Sequence, residues 1–321
     1  MLHSSKFRPA WWLRNPHAQT LWAAKIQRTP TPVTSSERLK TPDDDFVDLM
    51  WTEENDGPIV VIFHGLTGSA SSHYARCLMH SLNEKGLRAV LMHFRGCSGE
   101  PNKTRGSYHS GDTRDISLVI DMVAKRYPGI PLAAAGFSLG GNALLKYLGT
   151  NTESALQFAV SVSPPLVLEE GAKRMNKGFS RVYQRRLINQ LKIAFSAKRA
   201  RYPELGLDEI DLDSVENFFE FDHHITAPLH GYESYADYYQ KASTLKDLIN
   251  IKIPTHILWS ADDPFFSEKC IPRNNQLSDA VHFELTTRGG HVAFISGNIP
   301  LLGHNWLCER VSGLLADKLL G

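Results

Sequence analysis

The 321-residue sequence predicts an α/β fold, a mostly parallel central sheet with helices on both faces and an inserted helical cap. Three observations predict it. From about residue 45 short apolar runs alternate with helical patterns, the rhythm of strand–helix–strand units. From about 165 to 250 that rhythm stops and helical, polar sequence takes over, before strands resume at Thr255. Between one apolar run and the helix after it stands Gly136-Phe137-Ser138-Leu139-Gly140, a serine flanked by glycines two residues away on each side.

Residues 1–40 are rich in Pro and Trp and read as an irregular extension packed on a single domain that runs from 1 to 321. Pro58 to His64 is a short buried strand ended by Gly65. Ser71 to Lys85 is helical, with Tyr74, Leu78 and Leu82 at i, i+4, i+8 and Gly86 as the stop. Arg88 to Phe94 is the next strand. Asp112 is placed to cap a helix through Ile116, Val119, Ile120 and Val123. Pro131 to Phe137 is a strand, Leu139 to Leu148 a helix and Leu156 to Val162 a further strand. The 165–250 segment, with RVYQRRLINQLKIAF and YESYADYYQKAS, is the expected cap. Thr255 to Ser260 and Val281 to Leu285 complete the strands. Ligands of an open α/β sheet bind beyond the carboxyl ends of its strands, so a cap inserted there covers the site.

The chemistry centres on Ser138. A serine on a strained strand-to-helix turn needs small neighbours, which Gly136 and Gly140 supply, and the helix that follows points its positive end at developing negative charge. A hydroxyl is a weak nucleophile and needs a base. In this arrangement Ser, Asp or Glu, and His follow one another along the chain. THILWSADDPF ends a strand in Asp262-Asp263-Pro264, and FELTTRGGHVAF ends one in a glycine turn bearing His291. Of the two aspartates Asp263 is favoured, because Pro264 biases it to extended backbone and adjacent residues leaving a strand point to opposite sides. Asp262 is then expected to cap loop backbone. Oxyanion donors are expected at the N–H groups of Leu139 and Leu66, with Thr67 next, and His64 is expected to brace the loop.

Composition excludes several classes. Net charge is +1, so no global field gathers nucleic acid or anionic membrane. The N-terminus lacks an apolar core like that of a signal peptide, no run reaches the length of a membrane span, and the four cysteines are scattered. The expectation is a cytoplasmic protein without stable membrane insertion, metal or cofactor; oligomeric state is not legible. Cys97 reads as inert, and His223-His224 as a pair without metal-ligand spacing. Arg95, Asp112, Arg114 and Asp115 read as a structural ion-pair network. The Asn15–Thr20 element reads as a clasp in which Asn15 and Gln19 bond backbone, rather than as a substrate entrance. The basic stretch Lys173 to Arg186 reads as a solvated face, with a lipid-binding helix as the alternative.

The motifs HGLTG, HFRGCSG, GFSLGGN, ADDP and GGHVAF together resemble the α/β-hydrolase superfamily, and within it the type-4 branch of AB-hydrolase proteins. That branch includes bacterial esterases, lung α/β hydrolases and a medium-chain phospholipase, and Asn15-Pro16-His17-Ala18-Gln19-Thr20 resembles one of its elements. The resemblance covers most of the chain and is weakest in the cap. It implies a triad of Ser138, Asp263 and His291 and the hydrolysis of carboxylic esters through an acyl-enzyme. Thioesterase, lactonase or amidase chemistry on the same residues, or a non-catalytic binding module, are the alternatives. The aromatic residues of the cap predict an apolar pocket for a short to medium acyl chain and a small-molecule or lipid-like ester as substrate.

Overall fold

Alternating apolar residues within one short strand can be buried on both sides only if helices cover both faces of the sheet. That is the arrangement in the computed structural model, which describes residues 1–151 and 153–321. In chain order the elements begin with β1 (Leu2–Ser4), α1 (Pro16–Lys25), β2 (Thr34–Lys40), β3 (Phe46–Thr52) and β4 (Ile59–Phe63). They continue with α2 (His73–Glu84), β5 (Arg88–Met92), α3 (Arg114–Arg126), β6 (Leu132–Phe137), α4 (Leu139–Thr150) and β7 (Phe158–Val162). Then follow α5 (Leu168–Met175), α6 (Ser180–Arg201), α7 (Phe218–Phe221), α8 (Ala227–Leu229) and α9 (Tyr235–Ala242), with a π-turn over Asp222–Thr226. β8 (Thr255–Ser260), β9 (Val281–Thr286), the small pair β10 (Ile295–Ser296) and β11 (His304–Asn305), and α10 (Trp306–Leu319) complete the chain.

Nine strands form one sheet in the order β1-β9-β8-β7-β6-β4-β5-β3-β2. Only β2 and β3 run antiparallel to their neighbours. In β4, Ile59, Val61 and Phe63 pack with α3 and α4, while Val60 and Ile62 pack with α2 and α10. The chain reverses its direction of travel at β4, leaving for β5 on one side and returning to β6 on the other. This is the switch point at which an open sheet offers a crevice.

Residues 1–40 are irregular only in part. They hold β1, α1 and β2, and β3 follows at once. β2 (TSSERLK) has the polar sequence of an edge strand and is formed by its register with β3, Thr34 against Thr52 through Lys40 against Phe46. α1 had a legible start, since the Asn15 side chain accepts from the N–H groups of His17 and Ala18 and Pro16 takes the first turn. At α3 the cap position belongs to Thr113, whose side chain makes no capping bond; Asp112 instead accepts from the N–H of Arg114.

The expected ion-pair network divides in two. The exposed Arg114 pairs with the buried Asp112. Arg95 is buried, grips Asp115 through both its Nε and Nη2 at 2.7 and 2.8 Å, and reaches Asp43 and Asp45 through Nη1. Asp45 also accepts from Asn102, from the N–H groups of Lys103 and Thr104 and from the Thr104 hydroxyl, so the cluster ties the β2–β3 turn to the loop after β5. Breaking such a buried pair leaves charge without a partner. Arg95→Met should therefore lower unfolding free energy by about 3–5 kcal/mol, measured by urea denaturation; a loss below about 1 kcal/mol would mean that the network is dispensable.

Candidate active site

At the end of β6 the backbone turns into α4 through Ser138, whose φ is +51° and ψ −119°. A non-glycine residue in this region carries strain that its surroundings must hold in place. Those surroundings are tight. A Cβ on Gly140 would stand 2.3 Å from the His64 carbonyl oxygen and 2.5 Å from that of Phe63, and one on Gly136 would stand 2.6 Å from the Gly140 oxygen. The glycines thus let the start of α4 lie against the end of β4. Asn142, fully buried one turn into α4, donates to the carbonyls of Ser110 and Ala242 and accepts from Thr244, locking the turn to two distant segments.

The Ser138 Oγ lies 3.0 Å from Nε2 of His291, and Nδ1 of His291 lies 2.8 Å from Oδ2 of Asp263. The other Asp263 oxygen accepts from the Phe265 N–H. Burial, opposed by the nearby His291, pushes the Asp263 carboxyl up from its ordinary value. Asp262 faces the other way and accepts from the Ser260 hydroxyl and from the N–H groups of Gly289 and Gly290. The adjacent aspartates therefore divide the work, one holding the histidine side chain and the other the backbone that carries it. The Phe265 ring stacks on the His291 imidazole at 4.0 Å and 10°.

The loop of His291 is also held from the N-terminal side. The His291 N–H donates to the Thr20 hydroxyl, which itself donates to the Pro16 carbonyl. Gln19, fully buried, donates to the carbonyls of Leu13 and Ile295 and accepts from the Ile295 N–H. The contacts of Asn15–Thr20 are those of a clasp, and Thr20 adds a contact that the sequence did not reveal. His17 stacks on Tyr183 and meets Phe179 edge-on.

At the end of β4 the His64 Nδ1–H donates to the Gly65 carbonyl, and its Nε2 accepts from the Phe94 N–H. Burial pushes this imidazole down to about 3, so it stays neutral and fixes the loop. The Thr67 N–H donates to the Tyr108 hydroxyl. The N–H groups of Leu66 and Leu139 have no acceptor among the described residues. Leu66, Ser138 and Leu139 open on one cavity of about 140 Å³.

Apolar side chains dominate the walls of that cavity, among them Met175, Leu187, Leu191, Phe218, Phe221 and Phe266. Of the aromatic residues between 165 and 250, Phe218, Phe221, Tyr238 and Tyr239 reach it, Phe219 and Tyr235 pack against Tyr239, Tyr183 packs on Phe265, and Phe179 is exposed. One wall residue is charged. Asp222, in the π-turn, accepts from the hydroxyls of Thr226 and Tyr239 and has no cation within ion-pairing distance among the described residues. Sequence reading passed over it, because a lone Asp beside two histidines carries no pattern; His223 and His224 are exposed. The one metal-like cluster among the described residues is His3, His256 and Glu284, and Glu284 already accepts from His256, Arg310 and Ser5. Burial pushes the Cys97 thiol up to about 12, which leaves it protonated at neutral pH. No helix of the described residues is long and apolar enough to cross a membrane.

A hydroxyl within hydrogen-bonding reach of an imidazole whose far nitrogen is held by a buried carboxylate can lose its proton to that imidazole as it attacks a carbonyl. A family model described as the alpha/beta hydrolase fold matches residues 58–298. The chain is 41% identical over 98% of its length to Putative esterase YheT of Escherichia coli, 94% of which is covered. It is 30% identical over 92% of its length to Phospholipase ABHD3 of Mus musculus, covering 74% of that protein. Among solved structures an esterase of Pyrococcus furiosus superposes with a TM-score of 0.59 at 17% identity, over 99% of each chain, a likeness of fold alone.

Burial holds the Asp222 carboxyl up at about 6 against an ordinary 3.8, the hydrogen bonds from Thr226 and Tyr239 only partly offsetting it. A folded-state value above the unfolded one means that ionisation costs stability above pH 6, and that the cost disappears as pH falls to 3.8. Asp222→Asn should therefore raise the melting temperature at alkaline pH, with a gain that shrinks on acidification. A variant that melts lower than the parent at every pH would sink this account.

Proposed function

The chain belongs to the α/β-hydrolase family, and from that membership and the geometry at Ser138 we propose that it hydrolyses carboxylic esters through a Ser138–Asp263–His291 triad. The observation that carries the reading is the unbroken relay from the Ser138 hydroxyl through His291 to the buried Asp263. His291 Nε2 takes the Oγ proton while Ser138 attacks the ester carbonyl. Asp263 accepts from Nδ1–H, holds that tautomer and stabilises the imidazolium. The N–H groups of Leu139 and Leu66 receive the developing oxyanion. Two things support that choice: both amides are without an acceptor among the described residues, and Thr67 spends its own on Tyr108. His291 returns the proton to the leaving alcohol, and water then releases the acyl group by the same route. The steps need no cofactor.

In this reading residues 165–250 serve as the cap and supply most of the acyl wall, while residues 1–40 brace the histidine loop. The substrate is a small-molecule or lipid-like ester with a short to medium acyl chain. The size of the cavity supports that range. A dry cavity of roughly 150 Å³ holds one benzene, and the space here is about 140 Å³. An acyl chain of about six carbons should fill it.

Three measurements follow. Ser138→Ala should abolish labelling by a fluorophosphonate probe while the melting temperature is kept; persistent labelling would refute the nucleophile. Asp263→Asn should cut kcat by several powers of ten, because the wrong tautomer of His291 is favoured. Asp262→Asn should cost much less and should act by loosening the loop backbone; the reverse order would exchange their roles. Across p-nitrophenyl esters kcat/KM should rise with acyl length, at about 0.8 kcal/mol per buried methylene, and fall once the chain exceeds the cavity. A flat profile would contradict the acyl pocket.

A further inference from the structure

The formal charge of the whole chain is +1, yet it is unevenly spread. The 29 residues from Lys173 to Arg201 contain ten Lys and Arg and no Asp or Glu. Part of that charge is accounted for. Lys173 pairs with Glu169 and Glu170, Arg174 donates to Ser180, and Arg199 reaches Asp208. Lys198 is buried and donates to Asn102 Oδ1, the carbonyls of Arg105 and Gly106, and Ser107 Oγ, which pins the end of α6 to the domain. Lys177, Arg181, Arg185, Arg186, Lys192 and Arg201 have no carboxylate partner among the described residues, and all but Lys192 are exposed.

The outward face of α6 also carries apolar groups. Val182 is 55% exposed and Ile193 69%. At about 100° per residue, Val182, Asn189 and Ile193 fall within about 40° of one another around the helix. Arg181 and Arg185 lie to one side of that line and Arg186 to the other. These side chains bound one shallow groove on the outer surface. The inward face is different in kind. Leu187 and Leu191 line the Ser138 cavity, and Tyr183 packs on Phe265, which stacks on His291. α6 is thus a wall one helix thick, about 10 Å, between the cavity and a surface of unpaired cations around exposed aliphatic side chains.

We infer that the outer face of α6 docks on an anionic lipid surface, with Arg181, Arg185 and Arg186 against the headgroups and Val182 and Ile193 in the acyl boundary. Charge complementarity selects the occupant. Six cations that are unpaired among the described residues, without an interspersed carboxylate, favour a dense anionic surface, and two aliphatic side chains between the arginines fit a bilayer boundary rather than a nucleic-acid backbone. Docking in this orientation leaves the cavity one helix thickness, about 10 Å, from the surface on which lipid esters reside. The inference concerns where the protein sits and does not depend on the Ser138 assignment.

The test is co-sedimentation of the full chain with vesicles of phosphatidylcholine alone and of phosphatidylcholine mixed with phosphatidylglycerol, at low and high salt. Binding should be confined to the anionic vesicles and should weaken with salt. Each cation removed should cost about fivefold in affinity, so Arg181→Gln, Arg185→Gln and Arg186→Gln combined should cost about a hundredfold. Val182→Ser with Ile193→Ser, which leaves the charge unchanged, should cost several-fold. Hydrolysis of a water-soluble short-chain ester should be unaltered in both variants, which also reports that they fold. Equal binding to neutral and anionic vesicles, or no loss in the arginine variant, would overturn the inference. So would duplex RNA binding as tight as vesicle binding, with both insensitive to the Val182 and Ile193 changes. If a variant fails to fold, the salt and lipid dependence of the unaltered chain still decides.

Discussion

The strained turn at Ser138 is the constraint from which the rest of the site is built. A positive φ at a serine persists only when the packing around it leaves no better alternative. Here Gly140 puts the first turn of α4 against the carbonyls that end β4, at a separation no Cβ allows. That contact fixes where the Ser138 hydroxyl points and where the Leu139 amide lies. It also brings the Gly65–Gly68 loop alongside, because that loop leaves β4 at the same edge. Asn142 carries the constraint outward, since its three hydrogen bonds reach the loop at Ser110 and the chain at Ala242 and Thr244.

Around that turn the histidine loop is held from three directions. Asp263 takes the imidazole, Asp262 takes two backbone amides and Thr20 takes a third. An imidazole that is to exchange a proton with a hydroxyl must be placed to within a fraction of an ångström, and a loop with positive φ at both Gly290 and Val292 does not place itself. The adjacent pair Asp262-Asp263 solves this with one dipeptide, because consecutive side chains leaving a strand diverge. The N-terminal clasp then has a physical purpose: Gln19 and Thr20 supply backbone bonds that the loop cannot make within itself.

α6 joins the two scales of the molecule. Its inner face supplies cavity wall and, through Tyr183, a ring packed on the Phe265 that stacks on His291, its end is pinned by the buried Lys198, and its outer face is cationic. The main domain covers the apolar and stacked residues of the inner side, while the arginines of the outer side stand in solvent, free to meet an anionic surface. The same element thus belongs both to the proposed pocket and to the proposed docking surface.

The sequence by itself determined the α/β class, because each central strand is short, apolar and bounded by turn residues, and both faces of the sheet must then be covered. It also determined that Ser138 stands on a strand-to-helix turn, because glycine at 136 and 140 meets a local steric demand, while the alternation of side chains leaving a strand favoured Asp263 and kept Asp262 as the alternative. β2 was hidden because an edge strand owes its existence to hydrogen bonds with β3 rather than to apolar side chains. Only the tertiary structure decided the rest. Ser138 and His291 are 153 residues apart in the chain, and Thr20 lies 271 from the amide it holds. The exposure of Asp222 to the cavity depends on how the segment between β7 and β8 packs over Ser138, and so does the division of α6 into an inner and an outer face. Those relations come from long-range packing, which leaves no local period or spacing in the chain to read.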